Sequence, residues 1–153
     1  MAQLYSVTSG LTAGAAAGSI KVAAHIATGS AVANRIVAFD VSFDGINAAA
    51  KPVLVELVKT TGAPSGGSTY TPNVINGQAG RTAQSTARIN DTADGSSPTI
   101  LAAWKVPATG GFSYQWPLGR EPEMPVSAFY EIRITWAAAE TVVNYLVNVW
   151  FEE

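Results

Sequence analysis

Residues Ser127 to Glu153 read SAFYEIRITWAAAETVVNYLVNVWFEE, and it is their alternation that decides the fold. Tyr130, Ile132, Ile134 and Trp136 alternate with Glu131, Arg133 and Thr135, the period of two that marks a strand with one buried and one wet face. After Ala137-Ala138-Ala139-Glu140, a second run places Val143, Tyr145, Val147, Val149 and Phe151 on one face and Asn144, Leu146, Asn148 and Trp150 on the other. Being neighbours in sequence, the two runs read as a hairpin, a central pair onto which earlier strands build.

Upstream segments carry the same signal. Val37, Phe39, Val41 and Phe43 oppose Ala38, Asp40 and Ser42, up to the turn signal Asp44-Gly45. Past Pro52, Val53 to Lys59 is apolar on both faces and belongs inside a sandwich. Thr99 to Val106 is a strand closed by Pro107 and the Gly110-Gly111 turn, and Phe112, Tyr114 and Trp116 alternate with Ser113 and Gln115. Ile20, Val22, Ala24 and Ile26 also fit a strand. Residues 1–18 read as an N-terminal extended arm, in which Leu4-Tyr5-Ser6-Val7-Thr8, a short strand or extended segment, is followed by a Gly/Ala/Ser stretch; such an arm is either loosely tied to its own domain or laid on a neighbour. Residues 19–153 then form one sandwich domain with a long polar excursion at 60–98, rich in Gly, Ser, Thr, Pro and Asn, in which Gln84 to Asn90 is a short strand. The sum is about eight strands and no convincing helix, hence an all-β, single-domain antiparallel β-sandwich of jelly-roll type. An immunoglobulin-like sandwich is the alternative, although the Cys-Trp-Cys signature is missing.

Composition narrows the function. Of 153 residues, 48% are hydrophobic and only 13% charged, against roughly 25% charged in ordinary soluble domains. So neutral a surface suits a chain that is covered by other proteins when it works; an extracellular β-domain with a neutral polar face is the other reading. A net charge of −2, with nine Lys and Arg spread singly, offers no basic patch for nucleic acid. Zero cysteines exclude disulfides, thiolate metal sites and cysteine nucleophiles. No apolar run approaches the roughly 18 residues that span a bilayer, and the Ala-rich region after Gly14 lacks the basic start and apolar core of a signal peptide, so the chain is read as used without cleavage.

Catalytic signatures are sparse. The one histidine, His25, has no acid beside it in sequence and reads as an incidental, partly buried side chain. There is no nucleophile elbow, phosphate-cradling glycine loop or paired-histidine metal motif, and no cofactor is expected. Asp40 and Asp44 share one strand face, and Glu121 and Glu123 lie in a Pro-rich link; a solvated face and a polar loop account for them better than a glycosidase pair does. Asp91-Thr92-Ala93-Asp94-Gly95 lacks the closing glutamate of a calcium loop and reads as turn chemistry. Trp104, Trp116, Trp136 and Trp150 are many tryptophans for this length. Trp136 is in register with core positions, whereas Trp150 shares a face with Asn144 and Asn148, where an exposed ring can anchor a protein or stack on a sugar.

The segments Phe39-Asp40-Val41-Ser42-Phe43-Asp44-Gly45, Pro52-Val53-Leu54-Val55-Glu56-Leu57, Trp104-Lys105-Val106-Pro107 through Gly111 to Arg120, and Val142 to Glu153 resemble small structural proteins of tailed bacteriophages, in particular capsid decoration, or cement, proteins. The resemblance implies no catalytic residues. It implies a homotrimer or another oligomer seated on the major capsid protein at the exterior of a virion made in the host cytoplasm, with the arm and the polar excursion as candidate contacts; a carbohydrate-binding β-sandwich module or another phage neck or tail structural component is the alternative. The candidate interface residues are then Leu4, Tyr5, Val7, Tyr70, Trp116 and Trp150.

Overall fold

The computed structural model describes residues 2–76 and 82–153. Residues 77–81 of the expected excursion and residue 1 of the expected arm lie outside the described residues. In chain order the strands are β1 (Leu4–Thr8), β2 (Ile20–Ala27), β3 (Asn34–Phe43), β4 (Val53–Thr60), β5 (Ser68–Tyr70) and β6 (Asn73–Asn76). They continue as β7 (Thr86–Asp91), β8 (Thr99–Val106), β9 (Gly111–Gln115), β10 (Glu123–Met124), β11 (Phe129–Thr135) and β12 (Tyr145–Glu152). Among the described residues there are thus twelve strands rather than about eight, and no helix; β5, β6 and β10 are too short to carry an alternation of their own.

Two antiparallel sheets pack face to face. The first runs β3-β12-β1-β6, with both β9 and β10 on the outer edge of β3; the second runs β5-β7-β2-β11-β4-β8. Eight strands carry the frame: β1, β12, β3 and β9 in the first sheet, β2, β11, β4 and β8 in the second. Along these eight the chain changes sheet at every step except β4 to β8, the connectivity of a jelly roll. An immunoglobulin-like sandwich would place the first two strands in the same sheet, and here they lie in different ones.

The hairpin expected from the C-terminal stretch does not form. β11 lies between β2 and β4, while β12 lies between β3 and β1 in the opposite sheet. Alternation fixes which residues face the core and is silent on which sheet a strand joins. The connection over 136–144 is also longer than the roughly two to five residues of a hairpin loop. Its ends meet across the core instead: Trp136 and Tyr145 are both buried, with ring centroids 5.8 Å apart. The inner faces are otherwise those that the alternation gives, with Tyr130, Ile132 and Ile134 in β11 opposing Tyr145, Val147, Val149 and Phe151 in β12. In β3 the register slips by one residue between Trp150↔Ala38 and Phe151↔Ile36. That bulge turns Ile36 into the core and leaves Val37 half-buried, against the expected Val37–Phe43 face.

The expected arm is a strand of the sheet. β1 pairs with β12, Tyr5 opposite Phe151 and Val7 opposite Val149, and with β6 on its other side. Tyr5 and Val7 are 0% exposed, and the Tyr5 ring stacks 5.5 Å from Phe151. Even the Gly/Ala stretch is tied down, since Thr12 exchanges backbone bonds with Tyr145 and Gly18 donates to Trp136. The short apolar run looked detachable because both strands that bury it are distant in sequence. The excursion, for its part, adds β6 to the edge of one sheet and β5 and β7 to the edge of the other, clasping both sheets on one flank.

Because Tyr5 is a core residue, Tyr5→Ala should cost about 3–5 kcal/mol in denaturant unfolding, and removal of residues 2–9 should abolish cooperative folding. A free arm would tolerate either change within about 0.5 kcal/mol.

Candidate functional site

The flank opposite the excursion has no such clasp. There the edges of the two sheets, β8 and β9, lie on either side of the core opening, and neither has a strand beyond it among the described residues. The cross-strand register explains what fills the gap. Trp104 pairs with Val55, and Tyr114 with Phe39, so both point inward where the opposite layer runs out. Phe39, fully buried on β3, is the floor, with Trp104 at 5.0 Å, Trp116 at 5.9 Å and Phe112 at 6.0 Å between ring centroids. Trp104 also meets Tyr114 at 5.4 Å, and Tyr114 meets Trp116 edge-on at 5.0 Å and 83°. These are the tilted and T-shaped arrangements that aromatic quadrupoles favour. All but Phe39 stay half-buried. On the same flank Ile100 and Leu101 on β8 are 52% and 46% exposed, and Leu118 in the loop after β9 is 91% exposed. An aromatic seam between two edge strands that also carry exposed aliphatics, with Lys105 and Arg120 the nearby cations in sequence, has the residue types that anchor protein contacts.

The six residues expected at an interface are not brought together. Trp116 belongs to the seam. Trp150 lies on the outer face of the first sheet, opposite Ser6 and Ala38. Tyr70 is half-buried at the far edge on β5, where its hydroxyl accepts a bond from Asn73 at 2.7 Å. Leu4 is half-buried in β1, and Tyr5 and Val7 are core. The seam residues Trp104, Phe112 and Tyr114 were visible in sequence only as inward positions of two strands; nothing local says that those strands are edges.

A second cluster lies on the outer face of the other sheet, roofed by residues 61–67 and 92–96, which bond to each other through Thr61 N–H to Ser96 and Thr92 N–H to Ser65. Cross-strand pairing sets Arg88, His25 and Glu131 in one row and Asp91, Val22, Arg133 and Glu56 in the next. Arg133 bridges Glu56 at 2.9 Å and Asp94 at 2.6 Å. Arg88 pairs with Asp91 at 2.7 Å, and the same carboxylate accepts the Gly67 N–H at 2.8 Å. The Gly95 N–H donates to Glu131 at 3.0 Å, and a side chain at position 95 would collide with Thr60, the Gly62 carbonyl and Glu131 itself. Asp91 and Asp94 therefore do more than shape a turn: each holds an arginine of the sheet.

His25 is 2% exposed, more deeply buried than expected, and its ring stacks on Phe129 with neither nitrogen hydrogen-bonded to any of the described residues. Burial pushes it down to about 4, with Asp91 opposing and Arg88 reinforcing. Glu131 is 1% exposed, and burial pushes it up to about 7, countered by the Gly95 N–H and by Arg133, and reinforced by Asp94 and Asp91. A carboxyl titrating near neutrality is the property a general acid or base requires, yet this one lies sealed under Gly95. Asp40 and Asp44 instead accept bonds from Asn148 and Asn144, and Glu123 pairs with Arg35 at 3.4 Å in solvent. No group of three or more His, Asp or Glu among the described residues is placed to hold a metal ion. Comparisons with protein-family models, with curated proteins and with solved structures give no match.

The pH dependence follows from the two buried groups. Glu131, raised from 4.5 to about 7, contributes stability that is complete below pH 4.5 and lost as pH rises through about 7. Glu131→Gln should therefore be more stable than the parent above pH 7, by about 1–3 kcal/mol, with the gap closing toward pH 4.5 in thermal melts. His25, lowered from 6.5 to about 4, has the opposite sign, and its contribution is lost as pH falls through about 4.

Proposed function

We propose that this chain is a non-enzymatic structural subunit of a virion, a decoration or cement protein that seats as a trimer on the exterior of an assembled capsid and holds neighbouring copies of the major capsid protein together. The observation that carries the reading is the aromatic seam: Trp104, Phe112, Tyr114 and Trp116 stay half-buried on a flank that also carries Ile100, Leu101 and Leu118. Covering it would bury a cluster of the residue types that anchor interfaces. The low charge of the whole chain supports the same reading, as does the bacteriophage-like character of the Trp104–Arg120 stretch that builds the seam. A protein that binds the lattice and not its separated subunits stabilises the lattice by mass action, by about 2.7 kcal/mol per site at a hundredfold excess over Kd. In a trimer the contacts act at raised effective concentration, so each one can be modest. Neither nucleic acid nor membrane is needed as a partner in this arrangement.

Particles prepared without the protein should release their genome at a lower temperature than particles to which it has been added back. Leu101→Lys and Leu118→Lys, both at exposed positions, should leave the melting temperature of the free protein unchanged and weaken attachment to particles by roughly 30-fold or more. Absence of the protein from purified particles, or full occupancy by both variants, would sink the proposal.

A further inference from the structure

The outer face of the first sheet carries a different set of groups. Along β12 the outward positions are Trp150, Asn148 and Leu146, followed by Asn144 just before the strand, a line of about 20 Å at the rise of a strand. Beside it β3 presents Asp40, and the residue after β3 is Asp44. Asp40 accepts the Asn148 amide at 2.8 Å, and Asp44 accepts both the Asn144 amide at 2.6 Å and its backbone N–H at 2.8 Å. Neither carboxylate is ion-paired among the described residues. Trp150 is only half-buried, set between Ser6 and Ala38 on the neighbouring strands, so its ring is bordered by two small side chains. Between β9, β3 and β12 runs a shallow depression of about 420 Å³ lined by Asp40, Asn148 and Leu146, among others.

We infer that this face is a binding site for a neutral polysaccharide chain, with Trp150 as the stacking platform and the Asp40–Asn148 and Asp44–Asn144 pairs as hydroxyl-binding groups. A pyranose has an apolar C–H face and a rim of hydroxyls, and it needs a flat aromatic surface beside acceptors and donors held in place. An amide locked on a carboxylate supplies both, because the carboxylate keeps lone pairs for hydroxyl donors. Charge selects the class of ligand. Two carboxylates without a cation repel phosphate, sulfate and uronate groups, leaving uncharged sugars. A protein partner is disfavoured because along β12 the apolar surface amounts to one ring and one half-buried leucine, with the exposed Ile46 only beyond its Asp44 end. The site is independent of the seam and goes beyond the lattice role.

The test is an array of neutral, acidic and amino glycans probed with the full chain, followed by calorimetry on whichever neutral glycan it retains. Trp150→Ala and, separately, Asp40→Asn should each weaken that binding about tenfold or more, with melting temperatures matched to the parent. Asp40→Asn keeps the side-chain shape and so covers the case in which Trp150→Ala misfolds. Leu118→Lys at the seam should bind as the parent does. Retention of acidic glycans only, retention of none at millimolar ligand, or undiminished binding by Asp40→Asn would overturn the inference. So would loss of particle attachment in Trp150→Ala without any glycan binding, which would make the face a protein contact.

Discussion

A sandwich of two sheets leaves its core open along two flanks, and each must be closed by something other than a strand pair shared between the layers. This chain closes them by opposite means. On one flank the polar excursion adds β6 to the edge of the first sheet and β5 and β7 to the edge of the second, and the chain itself crosses from one sheet to the other through Thr71-Pro72. On the other, side chains alone fill it, and the rings on β8 and β9 are thick enough to exclude water from Phe39 yet remain partly wet themselves.

The excursion also sets the electrostatics. By laying residues 61–67 and 92–96 over an outer sheet face it removes from water a group of ions that would otherwise be ordinary surface charges. Desolvating ions is costly unless partners are close, and the geometry meets this with Arg133 between two carboxylates and Arg88 on Asp91. Such pairs add little net stability over an apolar filling, but they define one seating of the roof, since a shifted roof would strand a charge. Among the described residues His25 and Glu131 have no ionic partner at hydrogen-bond distance, and burial drives both toward their neutral forms.

Much of this architecture is legible in the sequence, because period-two patterning is a local property. The inward faces of β11 and β12 and the spans of β4 and β8 can be read residue by residue. What cannot be read is anything that depends on distant partners. The expected hairpin of β11 and β12 fails because alternation does not name a sheet, and of the two readings of Leu4–Thr8, short strand or extended arm, the strand is the one formed, because its partners lie at residues 73–76 and 145–152. The displaced Val37 reflects a bulge, an extra residue that no periodicity announces. For the candidate site the limit is the same. Trp116 stands out by its type, but its grouping with Trp104, Phe112 and Tyr114 comes from β8 and β9 being terminal strands of different sheets, which is a fact of topology.

The bulge in β3 has a further effect on the rim. The Val37 carbonyl accepts the Trp116 N–H at 3.1 Å, and the Ile36 N–H donates to the Pro122 carbonyl at 3.2 Å. The loop carrying Leu118 therefore departs and returns at consecutive residues of one strand, with β9 fixed on one side and β10 on the other. A loop pinned in this way can lengthen, shorten or change its tip while the pairing on either side keeps its register. Related chains could thus acquire new contact specificities at this one corner and leave the framework untouched.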